Sequence, residues 1–124
     1  MNESQQTNEL CLELRKFNAQ ITVFHGNAGV TLDGRRAVYQ TPGVPDRFVA
    51  HNYLPGGVWL EFKANKGKLS GLQQQWIQEN TKRGVHAFVI RHGANTIEDA
   101  TGNVLGKYDG TARDLLLQLR ELLT

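Results

Sequence analysis

Apolar residues recur along this chain at two spacings, which distinguish its predicted helices from its predicted strands. Spacings of three and four residues predict amphipathic helices, and short β-branched or aromatic runs predict strands. The predicted helices cover residues 4–18, 71–82 and 111–123, and the predicted strands cover residues 21–24, 45–50, 58–64 and 85–91. Weaker patterns predict a hairpin or loop at residues 26–36, a short strand at 36–40 and a hairpin around 102–106.

Turn and cap residues between these segments predict how the segments connect. The Pro-Gly-Gly sequence at residues 55–57 favours a tight turn between the strands at 45–50 and 58–64. Ser70 is a typical cap for the helix that follows. The strand–helix–strand segment over residues 58–91 is long enough for a parallel crossover. The chain is therefore expected to form one α/β domain over residues 1–124, with a mixed central sheet flanked by helices.

Composition narrows the possible functions only a little. The chain has no apolar run near the 20 residues that a membrane span needs, and its polar start lacks a signal pattern, so a cytoplasmic location is expected. Its single cysteine, Cys11, excludes an internal disulfide and a cysteine-rich zinc site. The formal net charge of +2 is weak support for nucleic-acid binding. Basic residues cluster in the central half, where they fit a phosphate backbone and a solvated surface equally well.

Candidate chemistry lies on the most strongly apolar strand pattern. Glu61 and Lys63 are two residues apart, so they share one face of that strand. Pairing across the predicted turn would bring Asp46 beside Glu61. Two adjacent carboxylates repel each other, and a divalent cation such as Mg²⁺ or Mn²⁺ relieves that repulsion. The alternative is a surface ion pair between Glu61 and Lys63, with Asp46 as a turn residue.

A larger pattern joins these residues. Gly-Val-Pro-Asp at 43–46, Glu-Phe-Lys at 61–63 and the helix residues Ser70, Gln73 and Trp76 follow one another along the chain. With the apolar strand at 85–91, this combination resembles the VRR-NUC domain of the PD-(D/E)xK nuclease superfamily. The resemblance covers residues 42–91 and implies a restriction-endonuclease-like fold.

The resemblance also implies roles for particular residues. Asp46, Glu61 and the backbone carbonyl of Phe62 would hold the metal, and Lys63 would be the catalytic lysine. Gln73 would face the site from its helix. Members of the family often carry a metal-contacting glutamate on the first helix, and we favour Glu9 over Glu13 for this position. The residues expected to contact nucleic acid are Arg35, Arg36, Arg47, Lys66 and Lys68.

The expected function is hydrolysis of DNA with Mg²⁺ or Mn²⁺. Stand-alone relatives of this size resemble phage and bacterial nucleases that nick branched DNA of the Holliday-junction type, which for a phage protein places the activity in the host cytoplasm. The alternatives are a non-catalytic DNA- or protein-binding module of the same fold and a nuclease for another nucleic acid. A four-way junction has two-fold symmetry, so a homodimer is expected, with the leucines of 111–123 or an arm at 92–110 as interface material.

Overall fold

Three helices and eight strands make up the parts of the chain that the computed structural model describes, which are residues 2–24, 30–32, 35–37 and 43–124. In chain order they are α1 (Glu3–Lys16), β1 (Gln20–Val23), β2 (Val30–Leu32), β3 (Arg35–Ala37), β4 (Arg47–His51), β5 (Leu54–Lys63), α2 (Gly71–Lys82), β6 (Ala87–Arg91), β7 (Thr96–Glu98), β8 (Val104–Lys107) and α3 (Ala112–Leu122).

Six of the strands form one mixed sheet in the order β1–β4–β5–β6–β7–β8. β5 and β6 run parallel, as the predicted crossover requires, and the other neighbours in the sheet are antiparallel. β2 and β3 form a separate antiparallel hairpin, which confirms the hairpin option for that segment. The predicted α/β fold class is confirmed, and the mixed sheet with three helices is consistent with a restriction-endonuclease-like fold.

The two faces of the sheet carry different apolar clusters because side chains alternate along a strand. Val58, Leu60 and Phe62 of β5 are fully buried against α1 and α3 in the larger cluster. On the opposite face Ile77 of α2 packs on β6, with Trp59 partly buried beside it. The remaining odd-numbered positions of β5 therefore also lie on the α2 face.

The turn between β4 and β5 was wrongly predicted. The chain reverses at Asn52 and Tyr53, and residues 55–57 belong to β5, where they form an irregularity opposite Ala50. The backbone conformation and packing of Gly57 require a glycine in this irregularity. Its φ is +76°, and a Cβ would lie 2.3 Å from the Phe48 ring, so a side chain at this position is excluded.

The N-terminal cap of α2 agrees with the sequence prediction, but only part of the apolar pattern of this helix is buried. Ser70 caps the helix through a capping box with Gln73, as predicted. Leu72, Trp76 and Ile77 have the spacing of one apolar helix face, but Leu72 is 56% exposed. Only Ile77 of these three is fully buried, because the helix meets the sheet along a narrow stripe.

The material expected for a dimer interface is largely used within the chain. Leu115, Leu116 and Leu119 of α3 are buried in the larger core cluster, and Leu122 packs against it. Most of the residues from 92 to 110 that were considered as an arm lie in or between β7 and β8, which extend the main sheet.

Among the described segments, no helix combines the length and apolar character required to cross a lipid bilayer.

Candidate active site

Strand register brings Asp46 and Glu61 together on the α2 face. Arg47 pairs with Leu60 across β4 and β5, so the preceding residue Asp46 lies opposite Glu61. The backbone N–H of Asp46 donates a hydrogen bond to Oε1 of Glu61 at 3.3 Å. Residues directly opposite each other on antiparallel strands share one face and lie close. The predicted juxtaposition of the two carboxylates is therefore present, although the turn that produces it lies elsewhere.

Both carboxyl groups are held in an environment that disfavours their charge. Glu61 is only 5% exposed, and its burial, followed by the nearby charge of Asp46, raises its pKa to about 7. Burial also raises the pKa of Asp46, although the positive charge of Arg47 opposes that effect. Oδ1 of Asp46 is buried with no hydrogen-bond partner. An unpartnered anionic oxygen beside a second carboxylate is the feature that an added cation would compensate.

Lys63 lies two residues after Glu61 on β5 and therefore on the same face of the sheet. Its Nζ lies 3.8 Å from Oε2 of Glu61, and its side chain is only 17% exposed. This distance is long for a hydrogen bond, so the ammonium group is close to Glu61 without being tightly held by it. Lys63 can therefore hydrogen-bond an anionic ligand that approaches the two carboxylates.

The backbone carbonyl of Phe62 is also suited to a cation. The next carbonyl, that of Lys63, accepts a hydrogen bond from His92 N–H just beyond β6 at 2.8 Å. Since successive carbonyls along a strand point to opposite sides, the Phe62 carbonyl points towards β4. The same register places Pro45 opposite Phe62, and proline has no N–H to donate. Pro45 therefore donates no hydrogen bond to the Phe62 carbonyl.

Glu3 is the glutamate of α1 that lies near the carboxylate pair, and it was not among the residues predicted from the sequence. Its Oε2 accepts a hydrogen bond from the Ala64 N–H at 3.0 Å, immediately after β5. Its negative charge contributes to the raised pKa values of both Asp46 and Glu61. Glu3 thus adds a third carboxylate to the electrostatics of the site.

Helix geometry explains why Glu3, rather than Glu9, faces the sheet. Glu3 lies on the same stripe of α1 as the buried Thr7, Leu10 and Leu14, at spacings of four, three and four residues. Glu9 is exposed, and six residues at about 100° each place it about 120° around the helix from Glu3. The stripe was visible in the sequence and would have selected Glu3.

Glu13, the other candidate considered, also lies away from the carboxylate pair. Its Oε2 accepts a hydrogen bond from the N–H of Ala112 at 3.4 Å, which is the start of α3. Glu13 thereby links α1 to α3 on the opposite side of the sheet from α2. Neither of the two glutamates chosen from the sequence contacts Asp46 or Glu61.

Arg47 and Gln73, which were also predicted as site residues, each make contacts that indicate a specific role. Arg47 has a side chain that is 14% exposed and forms a 3.2 Å ion pair with Oδ2 of Asp46. Its guanidinium also donates to the Asp46 carbonyl, so its charge is directed at the site. Gln73 accepts a hydrogen bond from the Ser70 N–H through its side chain, which caps α2.

The segment that carries Asp46 passes directly over the beginning of α2. A Cβ on Gly43 would lie 2.1 Å from the carbonyl oxygen of Leu72, and the φ of Gly43 is +86°. Glycine is therefore required for this close approach. It brings the capped first turn of α2 next to the segment that leads into Asp46.

The structure describes the side chains of only some of the basic residues that were expected to bind nucleic acid. Lys66 and Lys68 are exposed on the loop between β5 and α2, close to the end of the site. Arg35 and Arg36 lie on β3, but their side chains are outside the described part of the structure.

A divalent cation fits this donor set. Within the described segments, no three or more His, Cys, Asp and Glu side chains are grouped closely enough to bind a metal by themselves. The pair of Asp46 and Glu61 is nevertheless sufficient for Mg²⁺, which keeps several waters and is usually bound by one or two protein carboxylates. The unpartnered Oδ1 of Asp46 and the carbonyl of Phe62 are oxygen donors of the required kind.

Comparison with known proteins adds no family assignment. No protein-family model matches this sequence, and a search of curated proteins gives no significant match. The resemblance to VRR-NUC nucleases therefore stays a prediction from the spacing of the motif residues.

Proposed function

We propose that this protein is a metal-dependent DNA endonuclease that hydrolyses phosphodiester bonds at Asp46, Glu61 and Lys63. The observation that carries the proposal is the buried, unpartnered Oδ1 of Asp46 beside Glu61, whose pKa is raised to about 7. Such a carboxylate pair favours binding of a cation. The cytoplasmic location expected from the sequence is part of this proposal.

In this mechanism Asp46, Glu61 and the Phe62 carbonyl would hold Mg²⁺ or Mn²⁺. A cation held there would supply positive charge that lowers the pKa of a water molecule and offsets negative charge on the phosphate. Lys63, as an ammonium ion beside Glu61, donates hydrogen bonds to a non-bridging phosphate oxygen and stabilises the transition state. The water loses one proton to solvent as its oxygen bonds to phosphorus, one ester bond breaks, and the departing oxygen receives a proton from solvent.

The roles of Glu3 and Arg47 follow from their contacts. Glu3 holds the Ala64 amide and adds negative charge near the cation site. Arg47 is paired with Oδ2 of Asp46, which leaves Oδ1 as the oxygen that faces away from this ion pair. We propose that Arg47 orients the Asp46 carboxylate, in place of the DNA contact expected from the sequence.

Nicking of labelled DNA in Mg²⁺, Mn²⁺ or EDTA tests this function. Lys63→Ala is expected to lose at least about 100-fold in rate, as for removal of a charge-stabilising group in other enzymes. Lys107→Ala is a matched control, because Lys107 is an exposed lysine on β8. Cleavage in EDTA, or undiminished cleavage by Lys63→Ala, would contradict the mechanism.

Metal binding separates the enzyme from a non-catalytic module of the same fold. Calorimetric titration with Mn²⁺ is expected to give binding that Asp46→Asn and Glu61→Gln abolish. DNA binding without any Mn²⁺ binding or cleavage would instead identify a binding module. RNA substrates of matched sequence, run in parallel, would show whether another nucleic acid is preferred.

Branched DNA is the proposed substrate, and a homodimer is the proposed assembly. The net charge of +2 gives little sequence-blind affinity, so selection by DNA shape is favoured over base reading. Equal nicking rates on a four-way junction, a flap and a linear duplex would reject this selectivity. Light scattering with and without junction DNA would measure the assembly, and a monomer in both would reject paired cutting.

A further inference from the structure

Arg91 makes an unusually large set of contacts at the end of the site strand. It is the last residue of β6 and pairs in register with Lys63, the last residue of β5. Its Nε donates to both carboxylate oxygens of Glu98, at 3.2 and 3.0 Å. Its Nη1 donates to the carbonyl oxygens of Ala64, Asn65 and Gly67.

These three carbonyls belong to the turn that immediately follows Lys63. The Gly67 N–H donates to the Ala64 carbonyl at 2.9 Å, which closes the turn. Three carbonyl dipoles that converge on one point repel each other unless a cation lies between them. Arg91 supplies that cation, and Glu3 binds the Ala64 N–H from the other side. The turn is therefore held at both of its ends.

Glu98 keeps Arg91 in place for this task. The ion pair is largely buried, with the two side chains 17% and 8% exposed. The Thr96 hydroxyl also donates to Glu98, so the carboxylate is fixed as well. Nε of Arg91 contacts Glu98 while Nη1 contacts the turn carbonyls, and the compact ammonium of a lysine has no such separated, rigidly oriented donors.

We propose that Arg91 is a positioning residue that shapes the 64–67 turn so that Lys66 and Lys68 meet the DNA backbone together. This inference rests on the proposed function, because it names which side chains bind the substrate of that site. Lys66 lies within the turn, and Lys68 follows it directly; both are exposed. Arg91 itself is mostly buried and neutralised by Glu98, so it acts through the turn and not by touching DNA.

Hydrogen exchange tests the positioning step without any need for nuclease activity. Arg91→Lys is expected to speed exchange of the Gly67 amide, which closes the turn, by at least about 10-fold. The Phe62 amide in the centre of the sheet reports on the fold and is expected to change little. Arg113→Lys, an exposed change on α3, is the matched control. Unchanged exchange at Gly67 in Arg91→Lys would overturn the proposal.

A mutant cycle then tests the link to DNA. Affinity for a labelled four-way junction is measured in EDTA over a range of salt concentrations. Lys66→Ala/Lys68→Ala is expected to lower the slope of log K against log salt by about 2, or about 1 for each phosphate contact. Arg91→Lys is expected to lower it by between about 1 and 2, with little further loss when the three changes are combined.

The outcomes separate this inference from the proposed function. Additive losses of slope in the combined variant, or no loss in Arg91→Lys, would refute the positioning role even if the protein cleaves DNA. Coupled losses with no cleavage in Mg²⁺ or Mn²⁺ would support positioning and refute the enzyme. If Arg91→Lys does not fold, Glu98→Gln replaces it, and the same coupling to Lys66 and Lys68 is expected because Nε of Arg91 loses its carboxylate partner.

Discussion

Replacing Glu61 by glutamine is expected to stabilise the metal-free protein while abolishing the proposed nuclease activity. Glu61 is buried beside Asp46, and its pKa is raised to about 7. A glutamine has nearly the same size and no charge, so it relieves the repulsion and the cost of burying an anion. A residue retained at the expense of stability is typical of a functional site.

The sign and size of the effect follow from the shift in pKa. The folded state holds the Glu61 proton more tightly than the unfolded state, so this contribution to stability is fully present below about pH 4.5. It is lost as the pH rises through about 7. The shift from 4.5 to about 7, at 1.36 kcal/mol for each pH unit, gives at most about 3 kcal/mol. Glu61→Gln should recover up to this amount at pH 8 and little at pH 5.

Urea unfolding in EDTA at pH 5 and pH 8 measures this difference. Glu79→Gln serves as the control, because Glu79 is exposed on α2 and its replacement should change stability equally little at both pH values. A Glu61→Gln protein that is less stable than the wild type at pH 8 would refute the electrostatic reasoning. An equal gain at both pH values would also refute it, since the benefit would then be independent of the Glu61 charge.

Three further predictions concern single residues. Millimolar Mg²⁺ is expected to raise the midpoint of thermal unfolding of the wild type at pH 8 but not that of Glu61→Gln, because ligand binding stabilises only a fold that binds it; equal shifts would contradict the cation site. Glu3→Gln should lower the nicking rate at least about 10-fold while Glu9→Gln leaves it unchanged, and the reverse order would refute the assignment of the helix glutamate. Gly43→Ala should cost more than about 2 kcal/mol in urea unfolding, because φ is positive and the Leu72 carbonyl occupies the space of a Cβ; a neutral effect would show that this approach is not needed.

The sequence determined those features that depend on neighbours along the chain. Helical spacing located α1, α2 and α3, and strand alternation put Glu61 and Lys63 on one face. The pairing of Asp46 with Glu61 was also accessible, since only 15 residues separate them and one hairpin joins their strands. A turn at residues 55–57 would have placed Asp46 opposite Lys66, so the pairing with Glu61 depends on the reversal at Asn52 and Tyr53 and on the irregularity opposite Ala50.

Tertiary structure alone decided which distant groups complete the site. Glu3 meets the amide of Ala64 across 61 residues, and Arg91 reaches the carbonyl of Ala64 across 27. Such contacts depend on how α1 lies on the sheet and on which strand borders β5. Local spacing carries no information about either choice, because the packing of whole elements makes it. The same packing buried Leu115, Leu116 and Leu119 of α3 in the core, although the sequence had suggested these leucines as interface material for a second chain.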